Sequence, residues 1–300
     1  MEHKDLKQGK IIEILSNIYV VKLDSGELIK ANIRGVLKGG KSLVVGDVVE
    51  VDFLYDTYII KKVLPRNNFL IRPPVANIDN LIICLSLKDP TPDYLLLDKE
   101  LILCYEKNIN PIICLNKVDN LEQDKNLEEE IDYIKNVYCS LGIKVIFTSA
   151  KKCQGIEGLE ENLKGKISAF SGNSGVGKSS LISIITKDMS IEVGNISRKS
   201  LKGKNTTKYV RLYELGEKTY ILDTPGFSSY ELYDINYKKL KDYYKEFREY
   251  KCKYEDCTHV FEDECSVKSA VNDKKIDKLR YERYKYIYKD LYEKDKRKYK

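Results

Sequence analysis

Residues 172–179 read Gly-Asn-Ser-Gly-Val-Gly-Lys-Ser and satisfy G-x-x-x-x-G-K-[ST] at every position. Glycines in such a stretch let the backbone curl around an anion with its N–H groups turned inward. The apolar run Ile167–Phe170 precedes the stretch and a helix-like run through Ile185 follows it. A helix starting there would add about half a positive charge facing the phosphates. Lys178 is expected to reach the β- and γ-phosphates, and the Ser179 hydroxyl to bind Mg²⁺. Gly172, Asn173, Ser174, Gly175, Val176, Gly177 and Ser180 would line the same nucleotide. The loop alone does not separate ATP from GTP, or a kinase from a hydrolase.

Two further motifs could read the base. Asn116-Lys117-Val118-Asp119 follows the apolar run Pro111–Leu115 at its C-terminal end. A carboxylate at Asp119 can accept hydrogen bonds from N1–H and the 2-amino group of guanine. Adenine lacks that amino group and would leave the carboxylate unpaired, which makes such a site strongly selective. Asn116 is expected to tie this loop to the phosphate side, and the Lys117 stem to cover the base. Ser149-Ala150-Lys151 closes the next run, Val145–Phe147, where a backbone N–H can meet the guanine oxygen.

Asp223-Thr224-Pro225-Gly226 ends another run. Asp223 is expected to hold the Mg²⁺ shell and the Gly226 N–H to sense the γ-phosphate. Between these motifs, Gly203-Lys204-Asn205-Thr206-Thr207 reads as a switch segment ordered by the triphosphate. Thr206 is the expected Mg²⁺ ligand there, with Thr207 the alternative. Lys178, Thr206, Asp223 and Gly226 form the expected catalytic set.

Cys252-x4-Cys257-x-His259-x5-Cys265 gathers four soft ligands in a short span. Cys₃His suits one tetrahedral Zn²⁺ and leaves no open position for catalysis, so a structural zinc is expected. The spacing differs from the common C-x-x-C. The other five cysteines are scattered, several in apolar runs where a thiol acts as a small hydrophobe.

The remaining sequence must position these groups. Residues 9–64 contain five β-type runs, Lys10–Leu15, Tyr19–Leu23, Leu28–Ile33, Val48–Phe53 and Tyr58–Val63, which suggest a small barrel of OB or SH3 type. Arg72-Pro73-Pro74 interrupts the pattern and marks a boundary. Buried parallel strands are then expected at Leu81–Leu87, Ile112–Leu115, Val145–Phe147 and Ile167–Phe170. Helices are expected at Tyr94–Lys107, Leu127–Leu141 and Ile156–Leu163, giving a doubly wound α/β unit. Two more strands, Tyr209–Leu215 and Thr219–Leu222, follow the cradle. A polar helix over 236–250 and another from Asp273 to Glu293 flank the Cys/His cluster.

Net charge is +6, and residues 271–300 carry twelve basic and six acidic side chains. That tail, interleaved with Tyr281, Tyr284, Tyr286, Tyr288 and Tyr292, suits either a nucleic-acid surface or a solvated helix. Composition, 42% hydrophobic and 33% charged, excludes wholesale disorder. No apolar run approaches the ~20 residues a membrane span needs, and the charged start Met1-Glu2-His3-Lys4-Asp5 is not a signal peptide. A cytoplasmic protein without membrane contact is expected.

Motif order narrows the class most. An ordinary small GTPase runs cradle, switch threonine, D-x-x-G, N-K-x-D, S-A-K; here the last two come first. With the barrel before and the Cys₃His cluster after, the chain resembles the RsgA family, the circularly permuted GTPases of small-ribosomal-subunit biogenesis. The expected fold is multidomain α/β. It comprises an N-terminal five-stranded OB-type β barrel (1–70), a central circularly permuted P-loop GTPase (71–230) and a mostly helical zinc-binding domain with a basic tail (231–300). The resemblance implies a monomer that hydrolyses GTP to GDP and phosphate when stimulated by the 30S subunit. It also implies contact of barrel and zinc domain with 16S rRNA, and no DNA partner. The chain departs from the family at Asn205, where many members carry histidine. Phe227 stands where many GTPases place a water-orienting glutamine, so slow intrinsic turnover is expected. The weighed rivals are a permuted GTPase of the large subunit, an RNA-binding module without productive hydrolysis, and an ATP-dependent kinase.

Overall fold

The computed structural model describes residues 6–33, 42–122, 124–186, 210–216, 218–223, 232 and 235–298, with backbone alone at 125, 223 and 298. Thr206, Thr207, Asn205, Gly226 and Phe227 lie outside the described residues.

Five strands open the chain: β1 Lys7–Leu15, β2 Ile18–Leu23, β3 Leu28–Ile33, β4 Val48–Leu54 and β5 Thr57–Val63. They close in the order β1-β2-β3-β5-β4, with β4 returning to β1 and β3 parallel to β5. That is the OB arrangement rather than the SH3 one. Alternate side chains fill the interior, among them Ile11, Val21, Val49, Val51 and Ile60. Each such side chain is worth about 1.5–3 kcal/mol when fully buried. Gly9 has no substitute in this wall, because a Cβ there would lie 2.6 Å from the Lys22 carbonyl oxygen.

Arg72-Pro73-Pro74 is not a bare break. It forms the turn of a two-stranded hairpin, β6 Phe69–Ile71 and β7 Pro74–Ala76, with a cis Arg72–Pro73 bond. The hairpin packs into the junction, where Val75 bridges Val45, just ahead of β4. Arg66 braces the same junction through a two-pronged bond to buried Asp47 (2.6 and 2.8 Å).

The second unit is built on β8 Asn80–Ser86, β9 Asn110–Asn116, β10 Lys144–Phe147, β11 Ile167–Ser171, β12 Arg211–Gly216 and β13 Thr219–Asp223. Their order is β10-β9-β8-β11-β13-β12, parallel except for β12. β8 is buried along its whole length, as its unbroken apolar run requires. Its Leu81, Ile83 and Leu85 face one layer with α1 (Tyr94–Lys107) and α2 (Glu128–Ile134); Ile82 and Cys84 face α3 (Ile156–Leu163) and α4 (Lys178–Ile185). Helices thus cover both faces. The predicted helix 127–141 is divided, since a π-helical turn, Lys135–Cys139, follows α2. β1 also touches β12 through the pair Glu13–Arg211, beside an irregularity between Ile11 and Glu13 that redirects the strand.

At the C-terminus, α5 (Ser266–Asn272) and α6 (Lys278–Lys298) pack with 3₁₀ turns at Tyr237–Tyr243 and Lys245–Phe247. A single helix over 236–250 does not form: Tyr244 adopts an extended backbone and buries its ring against Phe247 and Tyr284. The tail helix starts later than expected and holds a core. Tyr281, Tyr284 and Tyr288 are buried, so these rings are not a nucleic-acid surface, although Tyr286 stays exposed. Leu95 and Ile102 of α1 join that core. Between them Asp98, wholly buried, pairs with Arg280 and Arg283 of α6 and accepts a bond from Tyr138 at 3.1 Å.

Candidate active site and metal centre

Parallel strands put their C-terminal ends on one side of the sheet, where ligands of open α/β folds bind. β9 ends at Asn116, β10 leads into Thr148-Ser149-Ala150-Lys151, β11 runs into Gly172 and β13 ends at Asp223. Segments far apart in sequence therefore meet at adjacent strand ends.

Asn116 is the junction. Its side-chain amide donates to the Val176 carbonyl in the cradle (2.9 Å). Its oxygen accepts from the Ala150 N–H (3.1 Å) and the Thr148 hydroxyl (3.2 Å). One buried side chain so joins three loops, and a Cβ on Gly177 would collide with it at 2.2 Å. Asp119 is buried and accepts from the Ser149 hydroxyl at 2.6 Å through Oδ1, which fixes the carboxylate. Lys117 takes a left-handed backbone and its ammonium donates to the Asp89 carbonyl. Lys151 is exposed beyond this pair.

The cradle begins at Gly172, whose φ of +122° suits glycine and where a Cβ would meet the Cys84 carbonyl at 2.1 Å. Asn173 donates to the carboxylate of Asp93 (3.1 Å), the N-cap of α1. Ser174 and Gly175 lie exposed at the loop crest, whereas Val176 is buried. Lys178 opens α4 and curls back to the carbonyls of Gly172 (2.6 Å) and Asn173 (2.7 Å). Burial pushes its ammonium below the usual lysine range, opposed by Cys84 and Glu100. Ser179 and Ser180 stand exposed in the first turn of α4. Asp223 ends β13 next to β11, the strand that launches the cradle; its side chain is outside the described residues.

Three site residues escaped the sequence reading: Asp93, Thr148 and Glu100. Asp93 had a signal, being an N-cap residue directly before the helical run at Tyr94. Thr148 and Glu100 belong to no motif, and their roles depend on chain segments that meet only in the fold.

The second cluster is equally compact. The donor atoms of Cys252, Cys257, His259 and Cys265 all lie within 4.8 Å of one another. His259 Nδ1 stands 3.5, 3.5 and 3.3 Å from the three sulfurs, and Cys252 and Cys265 sulfurs are 3.7 Å apart. A tetrahedral ion with ~2.3 Å bonds to sulfur requires edges of roughly 3.8 Å, so the donor set fits zinc. Burial, helped by Lys241, pushes the His259 imidazole down to about 4, leaving it neutral and able to ligate. Tyr281 steadies the backbone by donating to the His259 carbonyl at 2.7 Å.

A buried carboxylate at a strand end, a glycine-rich cradle with its lysine and a permuted motif order define a circularly permuted P-loop GTPase, an enzyme that hydrolyses GTP. The sequence profile of the RsgA GTPase family matches residues 63–233. A small ribosomal subunit biogenesis GTPase RsgA from Caldanaerobacter subterraneus subsp. tengcongensis is 39% identical over 98% of this chain and 98% of its own. That from Clostridium beijerinckii is 40% identical over 97% and 99%. The crystal structure of YjeQ from Thermotoga maritima superposes with a TM-score of 0.82 at 35% identity, covering 95% and 98%. YloQ, a circularly permuted GTPase, gives 0.81 at 30%, covering 98% of each. The chain belongs to the RsgA GTPase family.

Proposed function

We propose that this GTPase serves biogenesis of the small ribosomal subunit, binding the 30S particle and its 16S rRNA, with hydrolysis stimulated by that particle. The GTPase part of the reading is supported above all by Asn116, whose hydrogen bonds join the N-K-x-D, S-A-K and cradle loops and so favour reading them as one guanine nucleotide site. The small-subunit role is supported by relatives that match nearly end to end and carry that role in their names. The chain would work as three units, 1–70, 71–230 and 231–300, as a monomer in the cytoplasm. Among the described residues no helix is long and apolar enough to cross a membrane.

In this mechanism Asp119 selects guanine, a backbone N–H of the Ser149-Ala150-Lys151 turn meets its oxygen and Lys117 covers it. Gly172 to Ser180 enclose the phosphates. The hydroxyls of Ser179 and Thr206 with the Asp223 carboxylate would hold Mg²⁺, a hard oxygen set suited to that ion. Bound there, the metal would neutralise charge on the β- and γ-phosphate oxygens. Water attacks the γ-phosphorus in line, its P–O bond forming as the bond to the GDP oxygen breaks. Lys178, the loop N–H groups and Gly226 N–H stabilise the charge that spreads over the phosphoryl oxygens. Zinc held by Cys252, Cys257, His259 and Cys265 would cross-link the C-terminal unit without touching the reaction. The deciding experiment measures phosphate release with and without purified 30S subunits. Slow turnover that rises steeply with 30S is expected; fast hydrolysis indifferent to 30S would overturn the reading, and a response to 50S alone would move it to the large subunit.

A further inference from the structure

Asp93 and Glu100 lie two turns apart on one side of α1, and both meet the start of the cradle. Asp93 accepts from Asn173, while Glu100 Oε1 accepts from the hydroxyl of Ser171, the residue directly before Gly172. Glu100 is 1% exposed, and its second oxygen, Oε2, has no hydrogen-bond partner among the described residues. A buried polar atom without a partner is uncommon and calls for a functional or structural cause. The groups that face Glu100 are Ser171 on β11, Lys178 on α4, Cys84 on β8, and Asp93 and Cys104 along α1. Lys178 does not neutralise it by a direct bond, because its ammonium is engaged by the Gly172 and Asn173 carbonyls.

We propose that Glu100 is a positioning residue of the phosphate cradle, fixing through Ser171 the point from which the loop springs. The inference rests on reading residues 172–179 as the triphosphate site. Burial pushes the Glu100 carboxyl up to about 8, against the opposing pull of Ser171 and Lys178 and with help from Asp93. The acid therefore keeps its proton at neutral pH, braces the strand end, and leaves the Lys178 charge for the phosphates. Ionised, it would set a second negative charge close to the anion that the loop must hold, and compete for that lysine.

Titration of the full chain with a fluorescent GTP analogue, from pH 7 to 9, tests this. Glu100→Ala and Ser171→Ala should each weaken binding about tenfold, the value of one lost buried hydrogen bond. Glu100→Gln keeps the shape and an uncharged hydrogen-bonding head, and should rescue affinity to within about threefold of wild type. Wild-type affinity should decline as pH passes about 8, and the decline should be absent in Glu100→Gln. A role limited to filling space would not move the pH profile. A folded Glu100→Ala that binds as tightly as wild type overturns the proposal, as does a Glu100→Gln profile that falls in parallel with wild type. If Glu100→Ala does not fold, the Glu100→Gln profile decides alone. Lys178→Ala separates the two levels: if it still binds the analogue, the reading of the cradle has failed; if it alone loses binding, only the role of Glu100 has.

Discussion

Selectivity for the base should turn on Asp119. Its Oδ1 is fixed by Ser149 in a buried setting, so a purine lacking the right donors leaves a desolvated carboxylate unpaired. Asp119→Ala should reduce the preference for GTP over ATP by about 100-fold or more, read by nucleotide competition. Glu100 gives a residue-scale prediction about stability. Its carboxyl is raised from 4.5 to about 8 in the folded chain, so the folded state binds the extra proton across that interval. The contribution is full below 4.5 and is lost as pH rises toward 8, at about 1.4 kcal/mol per pH unit. Urea unfolding of Glu100→Gln and wild type should therefore show the variant gaining relative stability from pH 5 to pH 8. Parallel stability curves would contradict it.

Among the elements, the turn from β11 into the cradle tolerates least. Gly172→Ala would combine a left-handed backbone with a Cβ 2.1 Å from the Cys84 carbonyl. It should lose about 2 kcal/mol or more of stability and most GTP binding, measured by thermal melting and nucleotide titration. The metal centre is a second weak point, because Cys257 and Cys265 belong to the core that holds Phe247, Tyr281 and Tyr284. Metal analysis should find one zinc per chain, and chelation or Cys257→Ser should lower the melting temperature of the C-terminal unit.

Much of this was legible in advance for physical reasons. Period-two alternation betrays a barrel wall, an unbroken apolar run betrays a strand buried on both faces, and phosphate-binding loops need glycine at set intervals. What stayed hidden depended on contacts distant in sequence. Tyr281, Tyr284 and Tyr288 suit a basic aromatic surface or a solvated helix by sequence alone, yet they pack into a core with aliphatic partners such as Leu240, Val267 and Ile287. Residues 236–250 carried helical composition, but burying Tyr244 forces the chain out of the helix. Nothing local marks Glu100 as different from any other helical glutamate.

At the scale of the whole molecule, Asp98 is the point where two units are pinned. It lies about 200° around α1 from Glu100, facing away from the cradle and into Arg280 and Arg283. Glu246 completes the cluster by holding Arg280 at 2.6 Å. Asp98→Ala leaves Arg280 only Glu246 and strips Arg283 of its carboxylate partner, and should cost about 3–5 kcal/mol, read by urea unfolding. Replacing Asp98, Arg280, Arg283 and Glu246 together by apolar residues of matching size, which leaves none of the four charges unpaired, should cost markedly less.

One rod is thus clamped twice, by the nucleotide loop on one flank and by the terminal helix on the other. Any partner that gripped α6 would thereby act on the phosphate loop at one remove, through a mechanical linkage separate from the covalent connection that follows β13.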